Sequence, residues 1–178
     1  MDFSKLKKML LVATVSALPM LSFAQDVEVI TVEGGDGPIL SRNQQEYNLT
    51  VEHALLALHA KNYDTSFRLL NEGARFGNKQ SQFYLAMSYF NGWGTDINNK
   101  QGWLWLNVAM EARNSQWNHS FKKISEAIPE EVQTAWKADV AHHIETYGAE
   151  ATEHNCKRYR PTGSSITEII CEREFDGS

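Results

Sequence analysis

The sequence predicts an all-α fold, a short α-solenoid of antiparallel helix pairs finished by a small disulfide-closed β-hairpin. Three observations predict it. Apolar residues recur at three- and four-residue steps from Leu49 to Tyr147 with one internal proline. Glycine turns at Gly77 and Gly92-Gly94 end successive short helices, and short helix pairs joined by such turns at a period near 35 residues signal a solenoid. Both cysteines of the chain, Cys156 and Cys171, lie in the last segment on either side of Gly163-Ser164.

The chain opens with Lys5, Lys7 and Lys8, an apolar run from Met9 to Leu21, and Ser22-Phe23-Ala24. A basic start, a short apolar centre and a small-x-small end make a cleavable secretory signal peptide over residues 1–24. The run is nearer 13 residues than the ~20 that a membrane-spanning helix needs. Of the 17 basic and 22 acidic residues the leader carries three and one, leaving 14 against 21 and a net charge near −7. That balance argues against nucleic acid as a partner, which calls for clustered Lys and Arg. Residues 25–47 lack a helical period, alternate briefly at Val27 to Val32, and break at Gly34-Gly35-Asp36-Gly37-Pro38. They read as a flexible acidic arm.

The helical domain spans 48–148. Its first helix is expected over about 49–60, with Val51, Ala54, Leu55 and Leu58 inward, and a second over about 63–76 with Phe67, Leu70 and Ala74 inward. Gly77-Asn78 ends the second. A third, about 80–91, buries Phe83, Leu85, Ala86 and Tyr89 before Gly92-Trp93-Gly94, and a fourth covers about 98–112. In it Trp103 and Trp105 stand two positions apart, so only one is expected to point fully inward. Ser115 to Ala127 forms a further helix, and Pro129-Glu130-Glu131 begins a last one that carries Val132, Trp136, Val140, Ile144 and Tyr147. This pair, 115–147, would cap the open end of the stack.

The spacing of Tyr63, Ala74, Gly77, Asn78, Gln82, Leu85, Tyr89, Gly92, Gly94, Trp105 and Ala109 resembles the Sel-one-like repeat (SLR) family, relatives of the tetratricopeptide repeats (TPR). The resemblance covers residues 54–113, one complete unit and a preceding half. It departs from the family pattern at Lys79, Ser81, Ala86, Asn98, Gly102 and Met110. The resemblance implies a TPR-like stack that binds other proteins. Some exported relatives bind or hydrolyse beta-lactams, but those carry a cysteine pair in each repeat, and residues 54–113 here contain none.

In the tail, 149–178, a two-residue loop at Gly163-Ser164 pairs residues whose numbers sum to 327, which sets Cys156 opposite Cys171. An exported protein with an even cysteine count favours that disulfide, worth roughly 3 kcal/mol for a loop of this length. The same register sets Pro161 at a position that donates no ladder hydrogen bond. Lys157, Arg158 and Arg160 form a basic edge, read as solvated charge that keeps other strands away, with anionic lipid or cell-wall polymer as the competing partner.

No catalytic, metal or cofactor site is expected. The six histidines include no pair at the spacing of H-E-x-x-H, and no nucleophile elbow or phosphate-cradling loop occurs. Asp139 and His143, one helical turn apart, read as an exposed ion pair. The function expected is a protein–protein interaction scaffold in the periplasm or, second, fully secreted. Trp93 and whichever of Trp103 and Trp105 faces outward are the candidate partner contacts. A beta-lactam-directed enzyme and a structural envelope role are the alternatives.

Overall fold

The computed structural model describes residues 44–160, 162–163, 165–173 and 175. The expected leader and residues 25–43 of the arm lie outside the described residues. Seven helices and one hairpin follow in order: α1 Gln44–His59, α2 Tyr63–Arg75, α3 Lys79–Asn91, α4 Asn99–Ala109, α5 Ser115–Ala127, α6 Glu130–Ala135, α7 Lys137–Tyr147, β1 His154–Tyr159 and β2 Glu168–Arg173. Along the chain α1 packs on α2, α2 on α3 and α3 on α4, and α4 then packs on α7. No helix among the described residues is long and apolar enough to cross a membrane.

Four asparagines start four of the helices. Asn62, Asn78, Asn98 and Asn114 each accept a hydrogen bond from a backbone N–H in the first turn of α2, α3, α4 and α5, at 3.4, 2.8, 3.0 and 2.9 Å. A side-chain carbonyl there satisfies a donor that no helical carbonyl can reach. Asn62 and Asn98 stand 36 residues apart, and so do Asn78 and Asn114. The same step relates Phe67 to Trp103, Leu70 to Leu106 and Gly73 to Ala109, so α2–α3 and α4–α5 share one internal period.

The turns close as their glycines allow. After α2 the N–H of Gly77 reaches Ala74 C=O and that of Asn78 reaches Gly73 C=O, both at 3.0 Å, with Gly77 left-handed at φ 94°. Gly94, at φ 71°, comes so close to the start of α2 that a Cβ there would strike the Tyr63 carbonyl. Gly94→Ala is therefore expected to cost at least about 2 kcal/mol in urea unfolding. Gly163→Ala, at φ 81° with open space around it, should cost only about 1 kcal/mol. Equal losses would show that the contact with Tyr63 contributes nothing.

The core joins Ala54, Leu70, Ala74, Phe83, Leu85, Ala86, Trp103, Trp105, Leu106 and Ala109. Both tryptophans of α4 are buried, 5% and 4% exposed, against the expectation that one would face out. The reason is that α4 is covered on two sides. Trp103 stacks on Phe121 of α5 at 5.3 Å between ring centres, and Trp105 lies edge-on to His143 of α7 at 4.4 Å. Two further boundaries differ. α1 begins five residues earlier than its apolar pattern suggests, because Tyr47 packs on Phe76, His154 and Phe175. The last helix is split at Trp136, which packs on the core and ends α6 with ψ near zero.

In the hairpin the register is the expected one, running from His154↔Arg173 through Cys156↔Cys171 to Tyr159↔Glu168, and the two cysteines form a disulfide with S–S 2.04 Å. The phase of the ladder is opposite to that of the expected two-residue loop. The Cys156 and Cys171 Cα atoms are 3.9 Å apart, the close spacing of a pair that exchanges no hydrogen bonds. His154, two residues away, accordingly sends its N–H outward to Ala149 C=O at 2.7 Å. Asn155, Lys157 and Tyr159 are then the bonded positions, and the ladder stops at Tyr159. Continued by two residues, that alternation would require an N–H that proline lacks. Pro161 and Ser164 themselves lie outside the described residues.

Candidate functional site

Three features stand out on the folded chain, and the first is the turn between α3 and α4. Gly92 and Gly94, both at φ 71°, hold Trp93 between them. Its indole stacks on Tyr63 at the start of α2, 5.7 Å between ring centres and 8° from parallel. Beneath this pair Phe67 and Tyr89 meet edge-to-face at 5.3 Å. Ile97, against Gly92, is 66% exposed, the largest exposure of any big apolar side chain described. Trp93 is thus half-buried, with one ring face packed on Tyr63, and the same turn carries the exposed Ile97 next to Gly92.

Of the residues read as framework, Ala74, Gly77, Leu85, Trp105 and Ala109 are buried. Tyr63, Tyr89, Gly92 and Gly94 build the aromatic turn. Trp103 is withdrawn as a partner contact, since Phe121 covers it.

The second feature is a polar junction that joins the helices to the hairpin. Lys79, only 4% exposed, donates to Glu111 Oε2 at 2.6 Å and to Gln82 Oε1 at 3.0 Å. Burial pulls the Lys79 ammonium below its ordinary pKa, and the neighbouring Glu111 opposes that shift. Glu111 Oε2 also accepts the N–H of Ala149 at 2.8 Å. Gln82 Nε2 bridges Ala74 C=O and Tyr147 C=O at 3.0 and 2.9 Å, tying α2 to the end of α7.

From Thr152 the network passes to His154. The ring Nδ1 lies 2.8 Å from Thr152 C=O, which can only accept, so Nδ1 carries the proton and Nε2 is left to accept from Tyr47 Oη at 3.2 Å. Asn78 Nδ2 donates to the same Tyr47 oxygen at 3.0 Å. Burial is the main cause that lowers the His154 pKa to about 4.

Sequence reasoning missed this junction. Lys79 and Ser81 counted there as departures from a small-residue pattern. A legible trace was available in the recurring asparagine caps, which place Lys79 in the first turn of α3.

Asp139 and His143 do not pair. Asp139 binds Lys100 at 2.7 Å, and His143 turns inward against Trp105 and Tyr147, where its Nε2 is buried with no hydrogen-bond partner among the described residues. Burial, with a smaller contribution from His142, lowers its pKa to about 4. Among the described residues no group of three or more His, Cys, Asp or Glu side chains could hold a metal ion.

The third feature is an open groove of about 780 Å³ between the C-terminal end of α4 and the hairpin. Asn107, Met110 and Arg113 form one wall, and Asn155, Cys156 and Ile169 form the other. Comparison of the chain with family models, with curated proteins and with solved structures finds no match.

Proposed function

We propose that this chain is an exported helical-repeat protein of the Sel-one-like type that acts as a protein–protein interaction scaffold in the periplasm or cell envelope. The observation that carries the reading is Trp93, half-buried and stacked on Tyr63 in a two-glycine turn that also carries the exposed Ile97. Interface energy concentrates in a few large aromatic anchors held in place before binding, and a tryptophan with one face packed and one edge open has that form. The 36-residue step that relates Asn62 to Asn98 and Asn78 to Asn114 supports the repeat reading. The leader-like start supports export, and with it an oxidising compartment in which the Cys156–Cys171 disulfide persists.

Affinity capture from periplasmic extract, with Trp93→Ala as the paired bait, tests this. The wild-type protein is expected to retain a discrete partner that the variant retains at least tenfold less well. Loss of one stacked pair, worth about 1 kcal/mol, should lower the melting temperature by only a few degrees. Capture by both baits alike, or by neither, contradicts the reading. A fall of ten degrees or more would instead make Trp93 a core residue.

A further inference from the structure

The hairpin has one edge that the chain begins to cover and then abandons. Because Cys156↔Cys171 is a close, non-bonded pair, the N–H and C=O of His154, Cys156 and Arg158 point away from β2. Ala149 C=O takes the first of these donors, from His154 at 2.7 Å. Beyond it, Cys156 and Arg158 have no intramolecular backbone partner among the described residues. Their side chains and those of Lys157, Tyr159 and Arg160 are all exposed. The 780 Å³ groove lies against this strand, with Met110 and Arg113 of its far wall facing Cys156 and Ile169 of the hairpin.

We propose that the outer edge of β1 accepts an extended acidic peptide as a third strand, seated in this groove. Backbone groups of Cys156 and Arg158 supply the ladder, in the manner of strand addition to an open sheet edge. Charge selects the occupant. Arg158 and Arg160 share one face of the strand, and Arg113 lines the groove beside it. Two of the three groove carboxylates are already held, Glu111 by Lys79 and Glu153 by Arg173. The third, Glu150, is exposed beside Ala149, on the strand's approach rather than on the strand itself.

A strand with acidic residues at alternate positions meets this basic run with opposite charge, and directly opposed charges in a sheet attract as like ones repel. A second copy presenting the same edge would set Arg158 and Arg160 against their own kind. That repulsion excludes self-pairing and leaves the edge available to an acidic partner.

The probe is a blocked octapeptide of alternating Glu and Val, titrated into the intact oxidised protein and read by fluorescence anisotropy and by amide chemical shifts. Binding is expected with the largest shifts at Cys156 and Arg158, and weakening at least tenfold between 50 and 300 mM salt. Arg158→Glu, an exposed position that leaves the fold intact, should weaken it at least tenfold. A Lys–Val peptide or a Glu–Val peptide with a central proline should not bind.

Absence of binding by the Glu–Val peptide, equal binding of the Lys–Val peptide, or an unchanged affinity in Arg158→Glu overturns the proposal. So does adsorption to phosphatidylglycerol vesicles without any peptide binding, which would make the basic edge a lipid contact. Trp93→Ala should leave peptide binding unchanged, so failure here and failure of the aromatic contact remain distinguishable.

Discussion

At pH 5 the protein is expected to be less stable than at pH 7 by roughly 4 kcal/mol, about 2 kcal/mol from each of two buried histidines. His143 and His154 have folded-state pKa values near 4 against an ordinary value of 6.5. Between those limits the unfolded chain binds more protons than the folded one. Stability therefore falls as the pH drops from 6.5 toward 4, and below 4 the loss is complete. The causes differ between the two rings. His143 is buried among Trp105 and Tyr147, its Nε2 without a hydrogen-bond partner among the described residues, and His142 adds positive charge. His154 is buried in the polar junction, where Lys79 and Arg173 disfavour its charge while the Thr152 carbonyl and Glu111 partly offset them.

Urea unfolding at pH 7 and pH 5 measures the slope. His143→Phe should remove about half of it and leave stability at pH 7 unchanged or raised, because it also removes an unsatisfied nitrogen. A slope that His143→Phe does not alter would mean that this ring charges freely in the fold.

Glu111→Ala should be the most damaging single change outside the apolar core, at about 3 to 5 kcal/mol. Removing the carboxylate leaves the Lys79 ammonium almost wholly buried with Gln82 Oε1 as its remaining partner among the described residues, and strips the acceptor from Ala149 N–H. The attraction itself is not the main quantity lost. An uncompensated buried charge is what the fold cannot tolerate, so Lys79→Met together with Glu111→Leu should recover most of the loss. A double-mutant cycle read by chemical denaturation separates the two contributions. A loss below about 1 kcal/mol for Glu111→Ala would class the pair with ordinary surface ion pairs.

Local rules made the helix starts, the glycine turns and the hairpin register legible, because each depends on residues close in the chain. Gly77-Asn78 and Gly92 announce helix ends without reference to anything distant. The disulfide followed from counting residues across a turn. The features that escaped depend on long-range partners. Tyr47 extends α1 because it meets His154, 107 residues away. Lys79 is tolerated inside because Glu111 arrives from the end of α4. Both Trp103 and Trp105 are covered because α5 and α7 approach α4 from different sides, which helical periodicity within α4 cannot register. The ladder phase escaped for another reason, since register alone leaves open which of two alternating sets of residues exchanges hydrogen bonds.

The aromatic turn is where the functional reading stands most exposed to test. A photoactivatable cross-linker placed at position 97 beside Trp93, with a control at the exposed Lys123 on α5, reports directly on what that surface meets in the cell. The scaffold reading predicts a discrete adduct from position 97 that Trp93→Ala abolishes and that position 123 does not produce. No adduct from position 97, or the same adducts from both positions, would contradict it.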